Sequence, residues 1–147
     1  SDTPDAAPAT TTAAPTPEST YSAPDYSANT RQVCDKVAAV YRNGFAGFST
    51  QLGKMIANKE AKQADEAEKF EKAAAAQLKS VGAKLRKETA AADDPELKEA
   101  GATSAAKLTD SAADTKFFDS IKTEKDLSAK IEGKMLDWMN PVRGLCA

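Results

Sequence analysis

A helical spacing of apolar residues runs through the chain from residue 30 onward. Large apolar side chains recur there at steps of three and four, the spacing that lines one face of an α-helix. The first stripe consists of Val33, Val37, Tyr41, Phe45, Phe48, Leu52 and Ile56. The second consists of Ala67, Phe70, Ala74, Leu78, Val81 and Leu85. These stripes predict a first helix over about residues 30–58 and a second over about residues 61–91.

Start signals predict two further helices. In "DDPELKE", Asp94 can cap a helix whose first residue is Pro95, a position where the missing N–H of proline costs nothing. The stripe of this third helix is rich in small residues: Leu97, Gly101, Ser104, Leu108, Ala112, Thr115 and Phe118. In "KTEKDL", Thr123 and Asp126 form a variant of the capping box. We expect this fourth helix to end before Pro141, because a residue that precedes proline is pushed out of the helical region.

The two cysteines bear on the number of helices. No Gly or Pro lies between Gly53 and Gly82, so the first two predicted helices could also be one continuous helix. In an antiparallel bundle, both chain ends lie at the same end only when the number of helices is even. A disulfide between Cys34 and Cys146 therefore favours four helices, and the segment after the fourth helix is long enough to bring the two sulfurs together. The alternative is two unrelated buried thiols.

The composition changes sharply near residue 30. Residues 1–29 hold five of the seven prolines, no Lys or Arg, and a dense run of Thr, Ser and Ala. Such a segment cannot bury enough apolar surface to offset the entropy lost on ordering. We therefore predict an all-α protein in two parts: a disordered Thr/Ala/Pro-rich stalk over residues 1–29 and an antiparallel four-helix bundle over residues 30–147.

The types of residue in the chain exclude several kinds of catalytic and binding site. There is no histidine, which excludes Ser-His-Asp and Cys-His nucleophiles and the Glu-x-x-His di-iron sites of helix bundles. Lys and Arg are spread among acids rather than clustered on one stretch, which argues against nucleic-acid binding. No apolar run is long enough to span a membrane. The densest acidic groups are explained by lysine pairing or by a helix start, so we expect no enzyme activity and no cofactor or metal site.

Three aromatic residues are the candidates for a contact or ligand-lining role: Phe117 and Phe118 in "TKFFDSI", and Trp138 in "KMLDWMNP". At helical spacing such residues are most often ordinary core. Phe117 and Phe118 cannot both face one core from the same helix, because adjacent residues point about 100° apart. We expect one of them to point toward another element or the solvent, where it can contact a partner. Alternatively, the aromatic residues line a cavity for a lipid or a planar cofactor.

The layout of the chain resembles a known class of proteins. The Thr/Ala/Pro-rich leader, the Ala/Lys-rich helical part and the end segments "CDKVAAVY" and "DWMNPVRGLCA" resemble the small secreted proteins and lipoproteins of actinobacterial cell envelopes. The resemblance implies an extracytoplasmic location, secreted or lipid-anchored, with any signal segment already removed. Lipid attachment would need a cysteine immediately upstream of Ser1.

These observations favour a binding role over a catalytic one. We expect a non-catalytic binding or structural module at the cell envelope, with a protein or another envelope component as its partner. A carrier of a small hydrophobic ligand in the bundle core is the alternative. A closed core would favour the first interpretation, whereas an apolar cavity between the helices would favour the second.

Overall fold

The computed structural model describes residues 23–147, and that range contains five α-helices and no β-strand. The helices are α1 (Ser27–Glu60), α2 (Ala64–Ala90), α3 (Pro95–Ala112), α4 (Thr115–Asp119) and α5 (Glu124–Cys146). The predicted all-α fold is therefore confirmed, with four long helices and one short helix. Most of the predicted stalk lies outside the described residues, and α1 begins within its last three residues, at Ser27. No helix in residues 23–147 combines the length and apolar character needed to cross a lipid bilayer.

Both predicted start signals are confirmed. The Asp94 carboxylate accepts the Glu96 N–H at 2.9 Å, directly before Pro95 begins α3. At the start of α5, Thr123 Oγ1 accepts the Asp126 N–H at 3.1 Å, and the Asp126 carboxylate accepts the Thr123 N–H at 3.1 Å. These side chains satisfy backbone donors that the first turn of a helix leaves without a partner.

The boundary between α1 and α2 is confirmed as a true break. Ala61, Lys62 and Gln63 form a turn between the two helices, and the Gln63 N–H donates to the Asn58 carbonyl at 2.8 Å. Lys62 has a φ of 61°, a left-handed conformation that glycine usually takes. The absence of Gly or Pro in this stretch therefore does not extend α1, because a lysine takes the left-handed position.

The predicted third helix is wrong at its C-terminal end. α3 ends at Ala112, and Thr115 and Phe118 belong to the separate helix α4. The reason is Asp114, whose carboxylate accepts the N–H groups of Lys116 at 3.1 Å and Phe117 at 3.3 Å. An aspartate in this position competes with the helix for backbone donors and starts a new turn.

The predicted end of the fourth helix before Pro141 is also wrong. α5 continues through Pro141 to Cys146. A proline inside a helix removes a backbone donor and crowds the preceding turn. In this protein the turns that follow are held by tertiary contacts, since Val142 is buried in the core and Cys146 is bonded to α1.

The helices pack in a closed series. α1 packs on α2, α2 on α3, α3 on α5, and α5 also contacts α1. Two glycines let neighbouring helices approach closely. A Cβ at Gly44 of α1 would collide with Val81 of α2, and a Cβ at Gly101 of α3 would collide with Thr89 of α2. The core between the helices is built from large side chains, of which Trp138 is the largest that is fully buried.

Polar contacts define the two ends of the molecule. At one end, Asn29 near the start of α1 accepts the Asp93 N–H at 2.8 Å, in the turn between α2 and α3. At the other end, the Lys59 ammonium donates to the carbonyls of Phe118 at 2.7 Å and Ile121 at 2.8 Å. The end of α1 therefore lies against the connection between α4 and α5.

Candidate functional site

The two cysteines predicted to pair are bonded. Cys34 in the second turn of α1 and Cys146 at the end of α5 form a disulfide across a sequence separation of 112 residues. Their Cα atoms are 5.3 Å apart, within the usual range for a disulfide. Both residues are partly buried, and they join the first long helix to the last. The alternative of two unrelated thiols is therefore excluded in this structure.

Trp138 lies at the centre of an aromatic cluster. Its ring centroid is 5.8 Å from those of Phe45 and Phe48 on α1 and 6.1 Å from that of Phe117 on α4. Its indole N–H donates to the Ser111 hydroxyl on α3 at 2.8 Å. Trp138 is fully buried, so its side chain contacts three other helices and no solvent. We call Trp138, Phe45, Phe48 and Phe117 the aromatic cluster.

Phe117 and Phe118 are both buried, with 6% and 1% of their surface exposed. They reach the core by facing different helices. The Phe118 ring packs edge-on against Phe48 of α1 at 6.5 Å, whereas Phe117 packs against Trp138 of α5. Adjacent residues of one helix cannot both face the same neighbouring helix. Both rings are buried in this protein because α4 lies between α1, which Phe118 contacts, and α5, which Phe117 contacts. The start of α4 at Asp114 was the signal in the sequence that could have indicated this arrangement.

Phe117 also lies at the base of an open groove of about 540 Å³ between α4 and α5. Lys134 Nζ lies 5.3 Å from the centre of the Phe117 ring, at cation–π distance. Of the two carboxylates in the groove, Asp114 caps α4 and Asp137 pairs with Lys107 at 3.1 Å. The remaining residues along the groove are Lys116, Ser120, Lys130 and Gly133. We call this feature the α4–α5 groove; it combines an aromatic base with a rim of lysines.

A second open groove, of about 760 Å³, lies at the turn between α1 and α2. It includes Lys59, Asp119 and Lys122. Burial lowers the pKa of Lys59, whose ammonium is already bound to two backbone carbonyls. Burial raises the pKa of the nearby Glu71, and the negative charge of Asp119 raises it further. Because Lys59 is engaged in holding the α4–α5 connection, its role in this groove is structural.

Two buried hydroxyl groups have no hydrogen-bond partner among residues 23–147. They are Tyr41 Oη on α1 and Ser104 Oγ on α3. Burial raises the pKa of Tyr41 to about 12, and the neighbouring Ser104 hydroxyl acts in the opposite direction. The two groups therefore lie close together without meeting hydrogen-bond geometry. The apolar spacing of the sequence placed Tyr41 on the core stripe of α1, but it did not predict that Ser104 of α3 lies beside it.

A search for metal-binding clusters and comparisons with known proteins assign no function to these residues. Within the described range, no three or more His, Cys, Asp or Glu side chains are grouped so that they could hold a metal ion. No protein-family model, curated protein or solved structure matches the chain.

Proposed function

We propose that this protein is a non-catalytic binding or structural module of the extracytoplasmic cell envelope. The observation that carries the proposal is the filled interior. Trp138 is fully buried among three aromatic rings and hydrogen-bonded to Ser111, so the centre of the domain is occupied by its own side chains. The grooves described above are open to solvent and lie on the surface between helices. Surface contact with a partner therefore fits this molecule better than enclosure of a ligand.

We propose that the four long helices form an antiparallel bundle. The contact of Asn29 with the α2–α3 turn and the Cys34–Cys146 bond bring four helix ends to one side. The contact of Lys59 with Ile121 brings the end of α1 to the start of α5 on the other side. These contacts support alternating helix directions, which is the arrangement expected for short connections.

The disulfide supports the proposed location. Disulfides persist in oxidising compartments and are rare where cellular thiols keep cysteines reduced. Cys34 and Cys146 are the only cysteines of the sequence, and both are bonded. The proposed location at the cell envelope, as a secreted or a lipid-anchored protein, rests on the compositional resemblance to secreted proteins and lipoproteins.

The α4–α5 groove is the surface that we propose for partner contact. It contains the Phe117 ring and the ammonium groups of Lys116, Lys130 and Lys134, none of which is paired with a carboxylate within the described residues. Positive charge that is not neutralised within the domain favours a partner of opposite charge. A partner protein or envelope component with acidic groups would complement this surface.

A titration with hydrophobic ligands tests the choice between module and carrier. Trp138 is the only tryptophan, so its fluorescence reports directly on the core. We expect blue-shifted emission that does not respond to fatty acids or porphyrins. A saturable change at micromolar ligand would contradict the module proposal and favour the carrier.

A sedimentation assay tests the proposed contact surface. The purified protein is mixed with fragments of an actinobacterial cell envelope and centrifuged. We expect Lys130→Glu with Lys134→Glu to reduce the bound fraction severalfold. Lys79→Glu with Lys84→Glu, two charge reversals at exposed positions on α2, is the matched control and should bind as the wild type does. Equal binding of all variants would show that the groove is not the contact surface.

A further inference from the structure

Helix α5 is the least buried of the four long helices. Of its 23 residues only Trp138 and Val142 are buried, whereas α1 has eight buried residues, α2 seven and α3 six. The apolar residues in its first half, Leu127, Ile131 and Met135, are only partly buried. The non-covalent attachment of α5 therefore depends mainly on Trp138 and Val142 and on its packing against α3.

The disulfide joins α5 to α1, two helices that otherwise share little packing. The packing of α5 against α1 is slighter than that of α2 against α1 or α3. The Cys34–Cys146 bond links the last residue of α5 to α1. An open groove of about 190 Å³ lies beside this bond and is lined by both cysteines. Both cysteines are partly exposed, so the bond lies at the edge of the folded domain, where a small thiol can approach it.

The chain segment before α5 is anchored separately. Lys59 binds the carbonyls of Phe118 and Ile121, and the side chains of Phe117, Phe118 and Ile121 are all buried. These contacts do not involve the disulfide. Movement of α5 away from the domain would therefore stop at the exposed residues Lys122 and Thr123, which follow the anchor.

We propose that the Cys34–Cys146 disulfide is a redox latch for α5. A thiolate of a dithiol reductant attacks one of the two sulfurs and forms a mixed disulfide, and the other cysteine leaves as a thiolate that takes up a proton. The second thiol of the reductant then displaces the remaining cysteine. The reductant becomes a cyclic disulfide, and the protein gains two thiols. Once the bond is broken, α5 separates from the other helices as a unit that pivots at Lys122 and Thr123.

Opening of the latch would change the surface of the protein. Trp138 would leave the aromatic cluster, and the rings of Phe45, Phe48 and Phe117 would become accessible to solvent. An exposed aromatic face of this kind is a binding surface for apolar groups. The latch is independent of the proposed envelope function, because it rests only on contacts within the domain.

Amide hydrogen exchange measured by mass spectrometry tests the latch. The oxidised protein is compared with the protein reduced by dithiothreitol. We expect exchange protection in peptides from α5 to fall by about 10²- to 10³-fold on reduction, because the closed loop is lost. Protection in α1, α2 and α3 should change by less than about threefold. The Trp138 emission should shift to the red, and binding of anilinonaphthalene sulfonate should rise.

The Cys34→Ser, Cys146→Ser double variant is the matched control. It should behave as the reduced wild type does and should not respond to dithiothreitol. The reduced wild type gives the same information if the double variant does not fold. Uniform loss of protection in every helix would show that the bond holds the whole domain rather than α5, and it would overturn the latch. Unchanged protection in α5 after reduction would overturn it equally.

Discussion

The Trp138 indole N–H donates a 2.8 Å hydrogen bond to the Ser111 hydroxyl, and both side chains are buried. This bond joins α5 to α3 at the centre of the core. A buried indole N–H without a partner would carry a desolvation cost, so the small polar residue Ser111 enables the largest apolar residue to lie in the interior. Ser111 therefore serves as the acceptor that the position of Trp138 requires.

Replacement of Ser111 by alanine should reveal the value of this bond. Ser111→Ala leaves the indole N–H of Trp138 buried without an acceptor, and we expect a loss of about 1–3 kcal/mol in the free energy of unfolding. Urea denaturation followed by circular dichroism measures it. Ser128→Ala, at an exposed position on α5, is the control and should change stability by less than about 0.5 kcal/mol. Equal effects of the two substitutions would contradict the assigned role of Ser111.

Two glycine substitutions should have opposite effects. A Cβ at Gly101 would overlap the side chain of Thr89, so Gly101→Ala should destabilise the protein by about 1–3 kcal/mol. Gly53 has no neighbouring atom within 4 Å of the added Cβ, and Gly53→Ala should stabilise α1 by about 0.5–1 kcal/mol. Thermal unfolding of both variants is the measurement. A stabilised Gly101→Ala protein would mean that α2 and α3 are farther apart than described.

Lys59 should contribute to stability through hydrogen bonds rather than through an ion pair. Lys59→Met keeps the aliphatic stem but removes the donor to the carbonyls of Phe118 and Ile121, and we expect a loss of about 1–3 kcal/mol. Lys125→Met, at an exposed position on α5, is the matched control and should have little effect. The comparison is made by urea denaturation at low and high salt. A large salt dependence of the Lys59→Met effect would indicate surface electrostatics instead.

Tyr41 should make the protein sensitive to alkali. Its pKa rises from 10.0 in the unfolded chain to about 12 in the folded state because the ring is buried. The folded state retains the proton more strongly, so stability does not change with the ionisation of Tyr41 below pH 10 and falls as the pH rises from 10 toward 12. The loss amounts to about 2–3 kcal/mol once the pH exceeds the pKa of the folded state. Tyr41→Phe should remove that part of the alkaline loss when unfolding is measured from pH 8 to pH 12.

The same variant tests the unpaired hydroxyl at neutral pH. Because Tyr41 Oη has no partner among the described residues, Tyr41→Phe should leave stability unchanged or increase it at pH 7. Ser104→Ala should behave in the same way for the same reason. A clear destabilisation by either substitution would show that the two hydroxyls bond to each other or to an internal water molecule.

The sequence predicted the structural features that depend on residues close to one another along the chain. The apolar stripes of α1 and α2 and the caps at Asp94 and Thr123 are local signals, and each of them is confirmed. The pairing of Cys34 with Cys146, from which an even number of long helices was argued, is confirmed. The position of Trp138 in the core agrees with the expectation that an aromatic residue at helical spacing belongs to the core.

One error arose where a local rule met a contact from elsewhere in the chain, and another where one local signal obscured a second. The rule that proline ends a helix failed at Pro141, because Val142 and Cys146 are held by the core and by α1. The long stripe predicted through Phe118 was broken by the cap at Asp114, a local signal that the apolar pattern obscured. The partner of Trp138 was not predicted, since the stripe identifies a buried position but not the acceptor that a distant helix supplies.

The sequence by itself determined that this chain forms helices, where most of them begin and which faces are apolar, because these properties depend on residues within a few turns. Only the tertiary structure decided how deeply each helix is buried. The rings of Phe45, Phe48 and Phe117 converge on Trp138 from two other helices, whereas the first half of α5 has no buried residue. Such contacts join positions far apart in the sequence, and their energies depend on the packing of several helices at once.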